Sequence, residues 1–85
     1  MTESKWITIE HRGTSASGKT DVWTVRPNEA DEVIGVISWF GRWRRYAFFP
    51  ANNTVFEQDC LRDIANFCEH ATKARMSPPP VKMTT

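Results

Sequence analysis

An α+β fold is predicted by three features of this 85-residue chain. Two early segments alternate apolar and polar residues, a central run is apolar at successive positions, and a long C-terminal stretch repeats apolar residues at helical spacing. Together they point to an antiparallel meander of three or four strands with one C-terminal helix packed on one face.

The first strand covers residues 6–10, where alternation puts Ile7 and Ile9 on one face. Residues 13–18 are small and polar and read as a loop. Residues 21–26 alternate again, pairing Trp23 with Val25, and Pro27 closes the segment. Residues 28–31 are turn material. The third strand, residues 33–40, is apolar on both faces and so belongs in the middle of the sheet. Gly35 within it marks a bulge or a close approach by the helix. The fourth strand runs over residues 43–49 and stops at Pro50. Between them, residues 40–42 form the hairpin turn, with Gly41 where positive φ is needed.

The helix begins at a capping box. Thr54 accepts from a free amide and Glu57 reaches back. Leu61, Ile64, Ala65, Cys68 and Ala71 then recur at helical spacing, flanked by Phe56 and Phe67. Glu57, Asp59 and Asp63 near the start, and Lys73 and Arg75 near the end, complement the helix dipole. Ser77 and Pro78 end it.

The size sets the first functional bounds. A 9.8 kDa chain is one small domain, residues 1–75, and residues 76–85, with Pro78, Pro79 and Pro80, read as a disordered tail. So little volume is not expected to enclose a large ligand cavity. Net charge is +1, so no global field favours nucleic acid or membrane. Locally, Glu29, Asp31 and Glu32 stand without a basic neighbour, and Arg42, Arg44 and Arg45 without an acid. No apolar run reaches the ~20 residues that span a bilayer, and the N-terminus lacks a secretory apolar core. A cytoplasmic protein is expected. Cys60 and Cys68, eight residues apart on one helix, would lie ~12 Å apart, beyond disulfide reach; they read as buried thiols.

Several motifs tempt. Residues 13–20 match the phosphate-loop pattern G-x-x-x-x-G-K-T, with Gly13, Gly18, Lys19 and Thr20 in place. That loop needs a helix after it, and here a strand follows, so a plain hairpin loop is expected. Asn52 heads a formal glycosylation triplet that reads better as a turn. His11 and His70 have no partners at metal-ligand spacing. No serine, histidine and aspartate are placed together by the pattern, and a helix core face offers no activator for either cysteine. Neither enzyme activity, nor a metal, nor a cofactor is expected.

Residues 38–50 carry the functional signal. They crowd Trp39, Phe40, Trp43, Tyr46, Phe48 and Phe49 around Arg42, Arg44 and Arg45. Trp, Tyr and Arg carry much of the energy at protein interfaces, so Trp39, Phe40, Arg42, Trp43, Arg44, Arg45 and Tyr46 are the candidate partner-binding residues. A protein partner is one reading. Nucleic acid is another, with arginines on phosphates and rings stacked on bases. The third is that the rings fill the core and the arginines merely solvate a strand. One helix covers one sheet face only, so the apolar residues on the other face need a second cover: a target, a homodimer partner, or a loop of the same chain.

From residue 35 to 67 the chain reads Gly-x-Ile-x-Trp-x-Gly-x-Trp-Arg-x-Tyr-x-Phe-x-Pro, then Thr54, Phe56, Cys60-Leu61-Arg62, Ile64 and Phe67. This block resembles small open reading frames of bacteriophages and prophages. The resemblance implies a non-enzymatic ligand of host or phage machinery, such as an inhibitor of host defence, in the bacterial cytosol. It carries no functional residue with it.

Overall fold

The computed structural model describes residues 2–3 and 6–76. Its elements are β1 (Thr2–Glu3), β2 (Ile7–Thr14), β3 (Asp21–Pro27), β4 (Gly35–Phe40), β5 (Arg45–Pro50) and α1 (Gln58–Met76). The strands form one antiparallel sheet in the order β1-β2-β3-β4-β5. This is the expected α+β meander with a C-terminal helix, its four long strands joined by a two-residue β1 that pairs with Thr8 and Ile9.

Alternation sets which side chains meet. Register places Ile9 opposite Val25 and Trp23 opposite Ile37, and Trp39 opposite Tyr46. With Ile7 these residues share the face that α1 covers. The core is Ile7, Ile9, Val25, Ile37 and Tyr46 from the sheet and Ile64 from the helix. Phe56, Cys60, Phe67, Cys68 and Ala71 pack around it. Leu61 and Ala65, expected in the apolar stripe, are exposed. Each residue turns the helix by about 100°, so a stripe centred on Cys60, Ile64, Phe67 and Ala71 leaves Leu61 on its shoulder.

Element ends differ from the sequence reading where local chemistry intervenes. β2 extends to Thr14 because a register shift between His11 and Gly13 absorbs one extra residue, and Gly13 takes φ 136° there. Pro27 is the last residue of β3 rather than its stop, paired with Ile7. β4 starts at Gly35, leaving Val33 exposed in the preceding loop. Gly35 is required by a close approach, but from Phe48 on β5 and not from the helix: a Cβ at position 35 would strike the Phe48 ring. The helix runs through Met76, so residue 76 belongs to the domain; the remaining tail residues, 77–85, and the expected stop at Ser77 and Pro78 lie outside the described residues.

The cap is also reassigned. Thr54 donates its hydroxyl to the Ala51 carbonyl at 2.8 Å and stays in the turn. Glu57 is the residue that caps α1: its carboxylate accepts from the amides of Asp59 at 3.0 Å and Cys60 at 2.7 Å, and its carbonyl accepts from Leu61 at 3.0 Å. A left-handed Asn53, φ 61°, turns the chain ahead of this cap and keeps Thr54 out of it.

Two outcomes are expected. Gly35→Ala forces the Phe48 ring off its seat and lowers stability by about 1–3 kcal/mol, measured by urea unfolding; an unchanged midpoint would contradict the contact. The amides of Asp59 and Cys60 hold the Glu57 carboxyl below its ordinary range. A depressed folded pKa means the stabilisation is present above the ordinary value of about 4.3 and is lost as pH falls through the folded one. Amide exchange at Asp59 and Cys60 therefore accelerates on acidification in the native protein, and Glu57→Gln removes that dependence.

Candidate functional site

The β4–β5 hairpin is divided between two faces. Ile37, Trp39, Tyr46 and Phe48 turn toward α1, whereas Val36, Ser38, Phe40, Arg45, Ala47 and Phe49 turn away from it. On the outer face Val36 lies opposite Phe49, Ser38 opposite Ala47 and Phe40 opposite Arg45. The small Ser38–Ala47 pair leaves a saddle over which the rings of Phe40 and Phe49 approach edge to face, with centroids 6.1 Å apart. Trp43 folds back from the turn onto Phe40 at 4.7 Å. The result is a connected apolar ridge whose outermost members, Trp43 and Phe49, are 62% and 42% exposed.

The turn that presents Trp43 spans residues 41–44 rather than 40–42. The amides of Trp43 and Arg44 both donate to the Phe40 carbonyl, at 3.1 and 3.0 Å. Arg44 occupies the left-handed position, φ 55°, that the sequence assigned to Gly41. A four-residue loop puts the reversal in chain direction one residue before β5, so the positive φ falls there.

Of the candidate residues, the structure brings Phe40, Arg42, Trp43, Arg44 and Arg45 to one exposed region and leaves two elsewhere. Tyr46 is 5% exposed and belongs to the core. Trp39 packs against Tyr46 at 5.3 Å, with the Arg75 guanidinium 5.0 Å over its ring. None of Arg42, Arg44 and Arg45 pairs with a carboxylate among the described residues; Arg45 Nε donates only to the Trp43 carbonyl at 3.4 Å. Val36 and Phe49 complete the ridge and were not among the candidates. Their signal was the alternation itself, once Tyr46 is known to point inward.

A second concavity lies on the helix side. A groove of about 740 Å³ runs between α1 and the β2–β3 half of the sheet; it is an open concavity, not the enclosed cavity that so small a domain is not expected to hold. It exists because α1 packs toward β5, where Thr72 Oγ1 accepts the Tyr46 amide at 2.9 Å. Ile9, Trp23 and Phe67 line it with Lys19, His70 and Arg75.

The remaining chemistry is quiet. The loop after β2 closes on itself: Ser15 donates to the Thr20 carbonyl at 2.8 Å and Gly18 to the Ser15 carbonyl at 2.9 Å. The Lys19 amide donates to the Ser17 hydroxyl at 3.3 Å, and β3 follows directly. These amides face their own loop, with no helix N-terminus behind them. Burial, then the Glu57 hydrogen bond and nearby carboxylates, push the Cys60 thiol up to about 11; burial raises Cys68 also. Both thiols stay protonated near neutrality. No group of three metal-ligating side chains occurs among the described residues. No described helix is long and apolar enough to cross a membrane.

Comparison with known proteins finds no matching family model, no matching curated protein and no matching solved structure.

Substitutions separate surface from core. Trp43→Ala leaves thermal stability nearly unchanged, within about 1 kcal/mol, because its ring is largely in water. Tyr46→Ala costs about 3–5 kcal/mol. Arg44→Gly relieves the left-handed position and stabilises by up to about 1 kcal/mol. Denaturant melts of the three variants check the order; a collapse of Trp43→Ala would place that ring in the core.

Proposed function

We propose that this protein is a non-enzymatic interaction protein of the phage type. It binds a host or phage macromolecule through the Phe40–Trp43–Phe49 ridge and the flanking Arg42, Arg44 and Arg45. The observation that carries this reading is the ridge itself: three contiguous aromatic rings on a sheet face that no described element covers. Rings of this kind release ordered water when a partner covers them, and they lose little conformational entropy in doing so. The arginines, exposed and without carboxylate partners among the described residues, supply orientation and on-rate toward an acidic surface. Against a host defence or replication protein, a ridge of this kind would inhibit by occluding the surface it binds. The resemblance of the hairpin block to phage reading frames supports a bacterial cytosolic setting.

The alternative is a small nucleic-acid-binding module using the same hairpin, favoured by three arginines within four residues around Trp43. The apolar ridge favours protein, because single strands are held by basic grooves in which rings are spaced for stacking. A second copy of this chain is a further candidate for the same face.

Affinity capture from bacterial lysate, with and without nuclease, tests the reading. A protein retained after nuclease and lost with Trp43→Ala is expected. Its affinity should change little with salt, whereas each phosphate contact would contribute a slope of about −0.7 to −0.9 in log K against log salt. Recovery that vanishes with nuclease would assign the hairpin to nucleic acid.

A further inference from the structure

We propose that the groove between α1 and the β2–β3 half of the sheet is a binding site for a small aromatic carboxylate. It goes beyond the hairpin interface and lies on the other side of the sheet. Its volume, about 740 Å³, falls within the range of small-molecule sites, roughly 300–1,000 Å³.

The groove has an apolar body and a cationic end. Trp23 and Phe67 stand edge to face at 4.9 Å, both half-buried, and offer ring surface to a planar ligand. Arg75 is held in place at one end: it donates to the Lys19 carbonyl at 3.0 Å and its guanidinium lies over Trp39. One N–H of its fork is committed in that way, and the others remain to meet an anion. The Lys19 side chain shares this end and pairs with no carboxylate among the described residues. Asp21 lines the groove as well, and its carboxylate is hydrogen-bonded to His11 at 3.0 Å rather than to Lys19 or Arg75. Asp63 lines the groove too, but twelve residues along the helix from Arg75, roughly 18 Å away. Charge is thus polarised along the groove, with Lys19 and Arg75 at one end, Asp63 one helical turn before Phe67 at the other, and the rings between them. A ring carrying a carboxylate satisfies both features at once: the ring lies against Trp23 and Phe67, and the carboxylate meets Lys19 and Arg75. A neutral aromatic would leave the cations unpaired, and a cationic one would be repelled.

The test is a titration of the isotope-labelled full chain with indole-3-acetate and with indole-3-acetamide, followed by amide and indole chemical shifts. Expected are shifts clustered at Lys19, Trp23, Phe67, His70 and Arg75, with the acid binding about tenfold more tightly than the amide. Lys19→Gln, an exposed loop change that preserves the spectrum, should weaken the acid by a similar factor and leave the amide unaffected. Equal affinity for acid and amide, or an acid affinity indifferent to Lys19→Gln, would overturn the proposal. So would shifts confined to Phe40, Trp43 and Phe49, or none at all. Failure here leaves the hairpin interface standing, since capture through Trp43 uses the opposite face.

Discussion

Tyr46 is held through three of its groups, and the arrangement of the molecule follows from that. Its hydroxyl accepts the Asp21 amide at 3.1 Å, tying β5 to the start of β3 across the intervening strand. Its backbone amide, on the edge strand, donates to Thr72 Oγ1 on the helix. Its ring lies edge to face between Trp23 and Trp39, at 5.2 and 5.3 Å. A phenol can do this because its ring is apolar while its tip still needs a hydrogen bond. The three contacts determine which side of β5 faces the helix and where the helix crosses the sheet.

Two consequences follow. Once Tyr46 points inward, Arg45, Ala47 and Phe49 must point out, and the outer ridge exists because of the inner core. The helix, drawn toward the β5 edge, also satisfies one amide of that strand, Tyr46, through Thr72 Oγ1, which blunts the edge for pairing at that point. The same displacement uncovers the β2–β3 half of the inner face. Among the described residues, the ridge and the groove are therefore two surfaces of the five-stranded sheet that α1 leaves uncovered.

Much of the fold was legible in the sequence. Ile7 with Ile9, and Trp23 with Val25, declared their shared faces by spacing, and Ile64, Phe67, Cys68 and Ala71 declared the helix. Ends were less legible. The spacing of Thr54 and Glu57 satisfied a capping box, yet the left-handed Asn53 set the helix start so that Glu57 itself caps. Gly41 looked like the turn residue, but the loop length gave the left-handed position to Arg44. Gly35 signalled a close approach without saying from what; the neighbour proved to be Phe48. Of the candidate interface, Phe40, Trp43 and the three arginines were legible as a cluster, while Trp39 and Tyr46 could be assigned inward only with the helix in view.

By itself, then, the sequence determined the class of fold, the strand and helix segments and the concentration of rings and arginines in one hairpin, because periodicity and composition are local properties of the chain. Only the tertiary structure decided which parity of β4 and β5 is buried. When both faces of a strand are apolar, alternation is symmetric, and a contact between residues distant in the chain, here Tyr46 with Asp21 and Thr72, has to break the tie. The groove was beyond the sequence for a related reason. It is a space between elements, set by where a helix crosses a sheet, and no residue pattern encodes that offset locally.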